Sequence, residues 1–133
     1  MEIILTVIYR FSKKSLDKLA SVDIRLQTLA KKVLEISPFD IGITEGFRDR
    51  LTQNKYFCEG KSKCDGINTL SKHQQGLAID IMIYDENGKG TWQEKYYYQV
   101  AGVFKAVAKQ LNINIRWGGD FKSIVDMPHF ELC

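Results

Sequence analysis

An aspartate interrupts what would otherwise be an unbroken apolar strand. The run Leu77-Ala78-Ile79-Asp80-Ile81-Met82-Ile83-Tyr84 is rich in β-branched residues and alternates, which predicts a strand. Period two places Ile79, Ile81 and Ile83 on one face and Ala78, Asp80 and Met82 on the other. A carboxylate in such a strand has to be paired, bound to a metal or set at the wall of a cleft. Asp80 therefore constrains its face of the sheet to offer one of these.

A candidate partner stands seven residues earlier, at His73, with Gly76 between them to let the chain turn sharply. A second half-site lies near the C-terminus, in Asp126-Met127-Pro128-His129-Phe130-Glu131-Leu132. The chain has two histidines, and each sits beside a well-placed acid. Either histidine alone would more often be a hydrogen-bonded surface or core side chain. Together they read as two halves of one metal site. Catalytic zinc takes three protein ligands and keeps one position open, and His73, Asp80 and His129 would supply that set. Pro128 fixes a backbone dihedral just ahead of His129 and helps aim its ring. Asp126, three residues before His129, is the candidate for both proton transfers of a hydrolysis. Glu131 is either a support for the ligands or a plain surface acid.

The rest of the chain sets the fold class. Ser12 or Ser15 caps a short helix carrying Leu16 and Leu19, and Asp23 opens a stronger one. In the latter Leu26, Leu29, Ala30, Val33 and Leu34 recur at helical spacing, until Ser37-Pro38 ends it. Ile41–Thr44 reads as a short strand, Asp49–Glu59 as a polar helical stretch, and Gly60–Leu70 as a surface loop. Asp85-Glu86-Asn87-Gly88 supplies a turn. Gln93–Leu111 is a long helix burying Tyr97, Val100, Ala101, Phe104, Val107, Ala108 and Leu111. Strands at Ile113–Trp117 and His129–Leu132 complete the order. Helices first and an interrupted sheet later indicate a small α+β domain rather than a doubly wound fold. With 133 residues and no linker or repeat, the expectation is one domain, residues 1–133, with residues 1–10 as an extension or a packed apolar strand.

A net charge of +3 without a long basic run excludes the strong electrostatic footprint of a nucleic-acid binder. The apolar run Ile3–Tyr9 is too short to span a bilayer, and it lacks the flanks of a signal peptide. Three cysteines, with Cys58 and Cys64 six residues apart, fit neither a zinc knuckle nor a dense disulfide framework. Free thiols are expected, a Cys58–Cys64 bridge being the alternative.

At these residues the sequence resembles the zinc D-alanyl-D-alanine carboxypeptidase and phage endolysin family, often called VanY-type. Ser71, His73, Gly76, Ala78 and Asp80 match its Ser-x-His-x-x-Gly-x-Ala-x-Asp motif, and Asp126 and His129 its later acid-x-x-His motif. Upstream, Gly46, Arg48, Gln53, Tyr56 and Gly60 match in the family's order. The resemblance implies a Hedgehog/DD-peptidase-like fold, with zinc held by His73, Asp80 and His129 over an antiparallel sheet. It also implies that Arg48 contacts a substrate carboxylate or carbonyl, and that Ser71 bonds substrate or supports the site. Trp117 would line the pocket or sit in the core.

Within the family the chain is most similar to the single-domain phage L-alanyl-D-glutamate endopeptidases, whose acid/base is commonly Asp, as at Asp126. The implied activity is cleavage of the L-Ala–D-Glu bond of the peptidoglycan stem peptide by a monomeric endolysin. Such an enzyme waits in the host cytoplasm until a holin-like partner opens the membrane. Two alternatives stay open: a D-Ala-D-Ala carboxypeptidase or dipeptidase, and a metal-stabilised wall-binding module without turnover.

Overall fold

A computed structural model describes residues 7–133. The expected N-terminal strand falls mostly on residues 1–6, which lie outside the described residues. Residues 7–10 form no regular element, and Tyr9 packs against the core.

Helix α1 (Lys13–Leu19) is capped by Ser12, whose hydroxyl accepts from the Ser15 backbone N–H at 3.1 Å. It buries Leu19 but leaves Leu16 exposed. The buried Ser15 hydroxyl accepts from the Ile43 N–H at 3.0 Å, which ties the helix to the sheet. Helix α2 (Ile24–Ile36) starts at the Asp23 cap and buries the whole stripe read from its spacing. Ser37 leaves it in extended geometry, as the following proline requires.

Strands β1 (Ile41–Glu45), β2 (Ala78–Tyr84), β3 (Gly90–Thr91), β4 (Ile115–Trp117) and β5 (His129–Leu132) form one antiparallel sheet. Its order is β1-β2-β5-β4, and β3 pairs with the C-terminal end of β2. Between β1 and β2 lie helix α3 (Arg50–Cys58), capped by Asp49, and a long loop. Helix α4 (Glu94–Gln110) crosses between β3 and β4.

Ile41, Ile43, Ile79, Ile81, Ile83, Phe130 and Leu132 are all buried, and α2 and α4 pack with them as the core. Phe104 of α4 stacks on Phe130 of β5 with ring centroids 4.0 Å apart. Burying side chains of this size contributes about 1.5–3 kcal/mol each. Helices therefore cover one face of the sheet, while the other carries the polar residues. That is the usual arrangement of an antiparallel sheet, and the α+β architecture agrees with the sequence reading.

Two local differences have clear causes. The strand expected from Ile113 begins at Ile115, because Asn112 (φ 58°) ends α4 in left-handed geometry. The Ile113 and Asn112 N–H groups donate to the carbonyls of Ala108 and Lys109, a Schellman closure that consumes the first strand residues. Leu111 sits at that cap and is half-exposed rather than core. Strand β3 was not anticipated, being only two residues long. It is the far side of a hairpin in which the Asp85 carboxylate accepts from the Asn87 and Lys89 N–H groups. All three cysteines are free.

Candidate metal centre

The polar face is organised by register. Asp80 stands directly opposite His129 on one side and Glu45 on the other, so three strands contribute one row, Glu45–Asp80–His129. Glu45 reaches this row through a bulge. Ile43 pairs with Ile81, and simple alternation would put Thr44 opposite Asp80 and turn Glu45 toward the core. The register shift between Ile43 and Glu45 re-aims Glu45 onto the polar face.

His73 comes from outside the sheet, on a 3-10 turn (His73–Gln75) at the end of the long loop. The Ser71 hydroxyl accepts from the Gln74 N–H at 3.1 Å and fixes the start of this turn. Gly76 closes it at φ 70°, which a side-chain-bearing residue rarely adopts. The Gly76 carbonyl accepts from the Asp23 N–H, anchoring the turn to the start of α2. The segment after β1 then clamps the ring. The Gly46 carbonyl lies 2.9 Å from His73 Nδ1, and the Arg48 N–H donates to the His73 carbonyl at 3.1 Å.

Three atoms converge: His73 Nε2, Asp80 Oδ1 and His129 Nδ1. Their mutual separations are 3.2 Å (His73–Asp80), 3.1 Å (His129–Asp80) and 3.2 Å (His73–His129). The far ring nitrogens decide what faces the centre. His73 Nδ1 has only a carbonyl acceptor, and His129 Nε2 lies 2.9 Å from a Glu131 carboxylate oxygen, so both far nitrogens carry the proton. Two imidazole lone pairs and a carboxylate oxygen then point at one another, which is unfavourable unless a cation sits among them. Nitrogen and oxygen ligands about 2.0–2.1 Å from a tetrahedral cation lie roughly 3.3 Å apart. The triangle has nearly that size, so these residues fit a metal ion.

Without a cation, a proton takes its role. Burial opposes charge on His129, but the Asp80 and Glu131 carboxylates overcome it and push its pKa up to about 9. Burial likewise works against Asp80, yet hydrogen bonds to the two imidazoles hold its carboxyl far below the usual range. Glu131 is buried, and His129 also keeps it ionised below the ordinary value. It is a buried partner of His129 and not a surface acid.

Asp126 lies on the loop entering β5. Its N–H donates to the Gly118 carbonyl at 2.9 Å, and its carbonyl accepts from the His129 N–H at 3.1 Å. A Cβ at Gly118 would collide with the Asp126 backbone, so this close approach needs glycine. The carboxylate is half-exposed, 3.9 Å from His129 Nδ1. Partial burial and the nearby negative Asp80 raise its pKa above the carboxylate norm. A carboxyl with raised proton affinity beside a metal cage suits general acid–base work.

Arg48 is buried in the wall of the same cleft, which encloses about 510 Å³. Two of its nitrogens donate to the two Glu45 carboxylate oxygens at 2.6 and 2.8 Å, and the third donates to Gln53 at 2.7 Å. Its guanidinium lies 4.6 Å over the Tyr56 ring. Gln53 is fully buried and also donates to the Ser62 hydroxyl and the Cys64 carbonyl, so it links Arg48 to the loop beyond α3. Neither role had been read from the sequence. Glu45 carried one usable signal: a charge at the same parity as buried Ile41 and Ile43 requires a bulge or a strand end.

Trp117 is a core side chain and does not line the cleft. It is 3% exposed, stacks near Phe130, and donates its indole N–H to the Met127 carbonyl at 2.7 Å. It therefore holds the loop that carries Asp126 and leads into His129. Ser71 does line the cleft, while its hydroxyl is engaged in capping the His73 turn.

Comparison with known proteins points one way. A family model described as phage L-alanyl-D-glutamate peptidase matches residues 7–132. The chain is 34% identical over 125 residues to the L-alanyl-D-glutamate peptidase of Escherichia phage T5, covering 93% of this chain and 89% of that one. It is 32% identical over 101 residues to the peptidoglycan L-alanyl-D-glutamate endopeptidase CwlK of Bacillus subtilis, covering 70% of this chain and 60% of that longer protein. The L-Ala D-Glu endopeptidase ChiX of Serratia marcescens superposes with a TM-score of 0.84 at 28% identity, covering 95% of this chain and 90% of that one. A vancomycin-resistance D,D-pentapeptidase, VanY with Zn(II), shares the fold at a TM-score of 0.55 and 16% identity, covering 84% and 72%.

Proposed function

The chain belongs to the phage L-alanyl-D-glutamate peptidase family, and on that premise we propose that it hydrolyses the L-Ala–D-Glu amide of the peptidoglycan stem peptide with a zinc ion held by His73, Asp80 and His129. The observation that carries this reading is the triangle of three converging donor atoms, each fixed from behind by its own hydrogen bond or strand. Zinc bound there would supply Lewis acidity, polarising the scissile carbonyl and making water acidic near neutral pH. Asp126 takes the proton of the attacking water and delivers it to the leaving nitrogen. Its half-exposed carboxyl and raised pKa support that double role.

Arg48 orients the substrate. Three of its five N–H groups are occupied by Glu45 and Gln53, which leaves two to donate to a peptide oxygen. Ser71 acts chiefly by holding the His73 turn. Residues 1–133 act as one catalytic domain and as a monomer. Among the described residues no helix is long and apolar enough to cross a membrane. Access to the wall from the host cytoplasm would then depend on a holin-like partner.

The test is to incubate the purified protein with added zinc and isolated peptidoglycan, and to read new amino termini by mass spectrometry. New D-Glu amino termini are expected. Release of D-Ala would move the protein to the carboxypeptidase branch, and no cleavage with zinc bound would leave a binding module.

A further inference from the structure

Three cations line the cleft around the donor triangle: Arg48, Lys61 and Lys72. Two of them are already matched. Arg48 spends its charge on a two-point pair with Glu45, and Lys61 Nζ lies 3.1 Å from Glu59. Lys72 has no carboxylate oxygen within 4.0 Å among the described residues. It is half-buried, immediately precedes His73, and lies near enough to Glu131 to help keep that acid ionised. Lys72 thus flanks the donors on the Glu131 side, and Arg48 flanks them on the Glu45 side.

An unmatched ammonium in a cleft of matched charges is a place for an anion. The proposed substrate brings one. A glutamyl residue joined through its nitrogen has two carboxyl groups, and a linear peptide continues through only one. The other is left as a carboxylate within a few bonds of the scissile amide. We propose that Lys72 is a specificity-determining residue that binds this free glutamyl carboxylate. The inference rests on the L-alanyl-D-glutamate reading of the site. It separates the work of the two cations: Arg48 is held rigid as a directional donor, while Lys72 supplies the uncompensated charge.

The test compares a synthetic L-Ala–D-Glu–L-Lys peptide carrying the free carboxylate with the same peptide amidated at that carboxyl. KM and kcat are measured for the zinc-loaded wild type, Lys72→Met and Lys72→Arg. Amidation should raise the wild-type KM roughly tenfold, the scale of one charge-assisted contact, with kcat little changed. Lys72→Met should treat both peptides alike, at the higher KM, and Lys72→Arg should restore most of the preference. A wild type indifferent to amidation, or a Lys72→Met variant that keeps the preference, would overturn the assignment. Cleavage of neither peptide by the wild type would overturn the peptidase reading, and this assignment with it.

Discussion

The two faces of one sheet obey different rules, although they alternate residue by residue along the same strands. On β2, Ile79, Ile81 and Ile83 are fully buried against α2 and α4, while Asp80 between them looks into the cleft. On β5, Phe130 stacks on Phe104, while His129 and Glu131 on either side of it build the donor cage. The core face is held by area and shape, so its contribution is spread over many side chains and is tolerant of swaps that conserve volume. The polar face is held by a few directed contacts around a shared charge. Loss of one there is not diluted by the others. The packed face makes the polar face possible, because it fixes the strand register that brings Asp80 opposite His129.

This contrast predicts a graded series. The largest effect is expected for Asp80→Ala, which should abolish zinc binding and reduce peptidoglycan hydrolysis to background while a folded protein remains by circular dichroism. Retained stoichiometric zinc would refute the cage as drawn. Asp126→Ala comes next: hydrolysis should fall by about 10²–10⁴ with zinc content unchanged, as measured by metal analysis beside the rate assay. Glu131→Gln keeps shape but removes the charge behind His129, and should weaken zinc by roughly tenfold or more in a chelator competition. On the opposite face the readout changes from metal to stability. Phe104→Ala should cost about 3–5 kcal/mol in denaturant unfolding, and Ile81→Val only about 0.5–1.5 kcal/mol, with neither altering zinc affinity directly.

The effect that links the faces is in pH. In the metal-free protein His129 has its pKa raised from 6.5 to about 9. The resulting stabilisation is fully present below pH 6.5 and is lost as pH rises through about 9. Zinc replaces that proton, so the zinc-loaded protein should not lose stability over this window, and loading should release protons at any pH below about 9. Melting curves at pH 6.5 and 9.5, with and without zinc, measure this. A metal-free protein equally stable at both would show that no proton holds the cage.

Much of the fold was legible because its signals are local. Helix stripes, the Ser12 and Asp23 caps and the β2 alternation each depend on residues within a turn or two of one another. The candidate donors were legible because so few residues of their chemistry exist: two histidines and one acid inside an apolar strand. The same locality explains the misses. A two-residue strand has no period to detect. Whether Trp117 faced cleft or core depended on what came to lie against it, and no pattern near Trp117 encodes the Met127 carbonyl.

By itself, the sequence determined an α+β domain with an apolar face, its helix boundaries, and a short set of residues with metal-binding chemistry. Tertiary structure alone decided that His73 and His129, 56 residues apart, meet within 3.2 Å. It alone turned Glu45 through a bulge to hold Arg48, buried Glu131 behind His129, and left Lys72 with no carboxylate partner among the described residues. The physical reason is that side-chain periodicity is written along the chain, whereas register, bulges and charge matching are settled between segments only when the core closes.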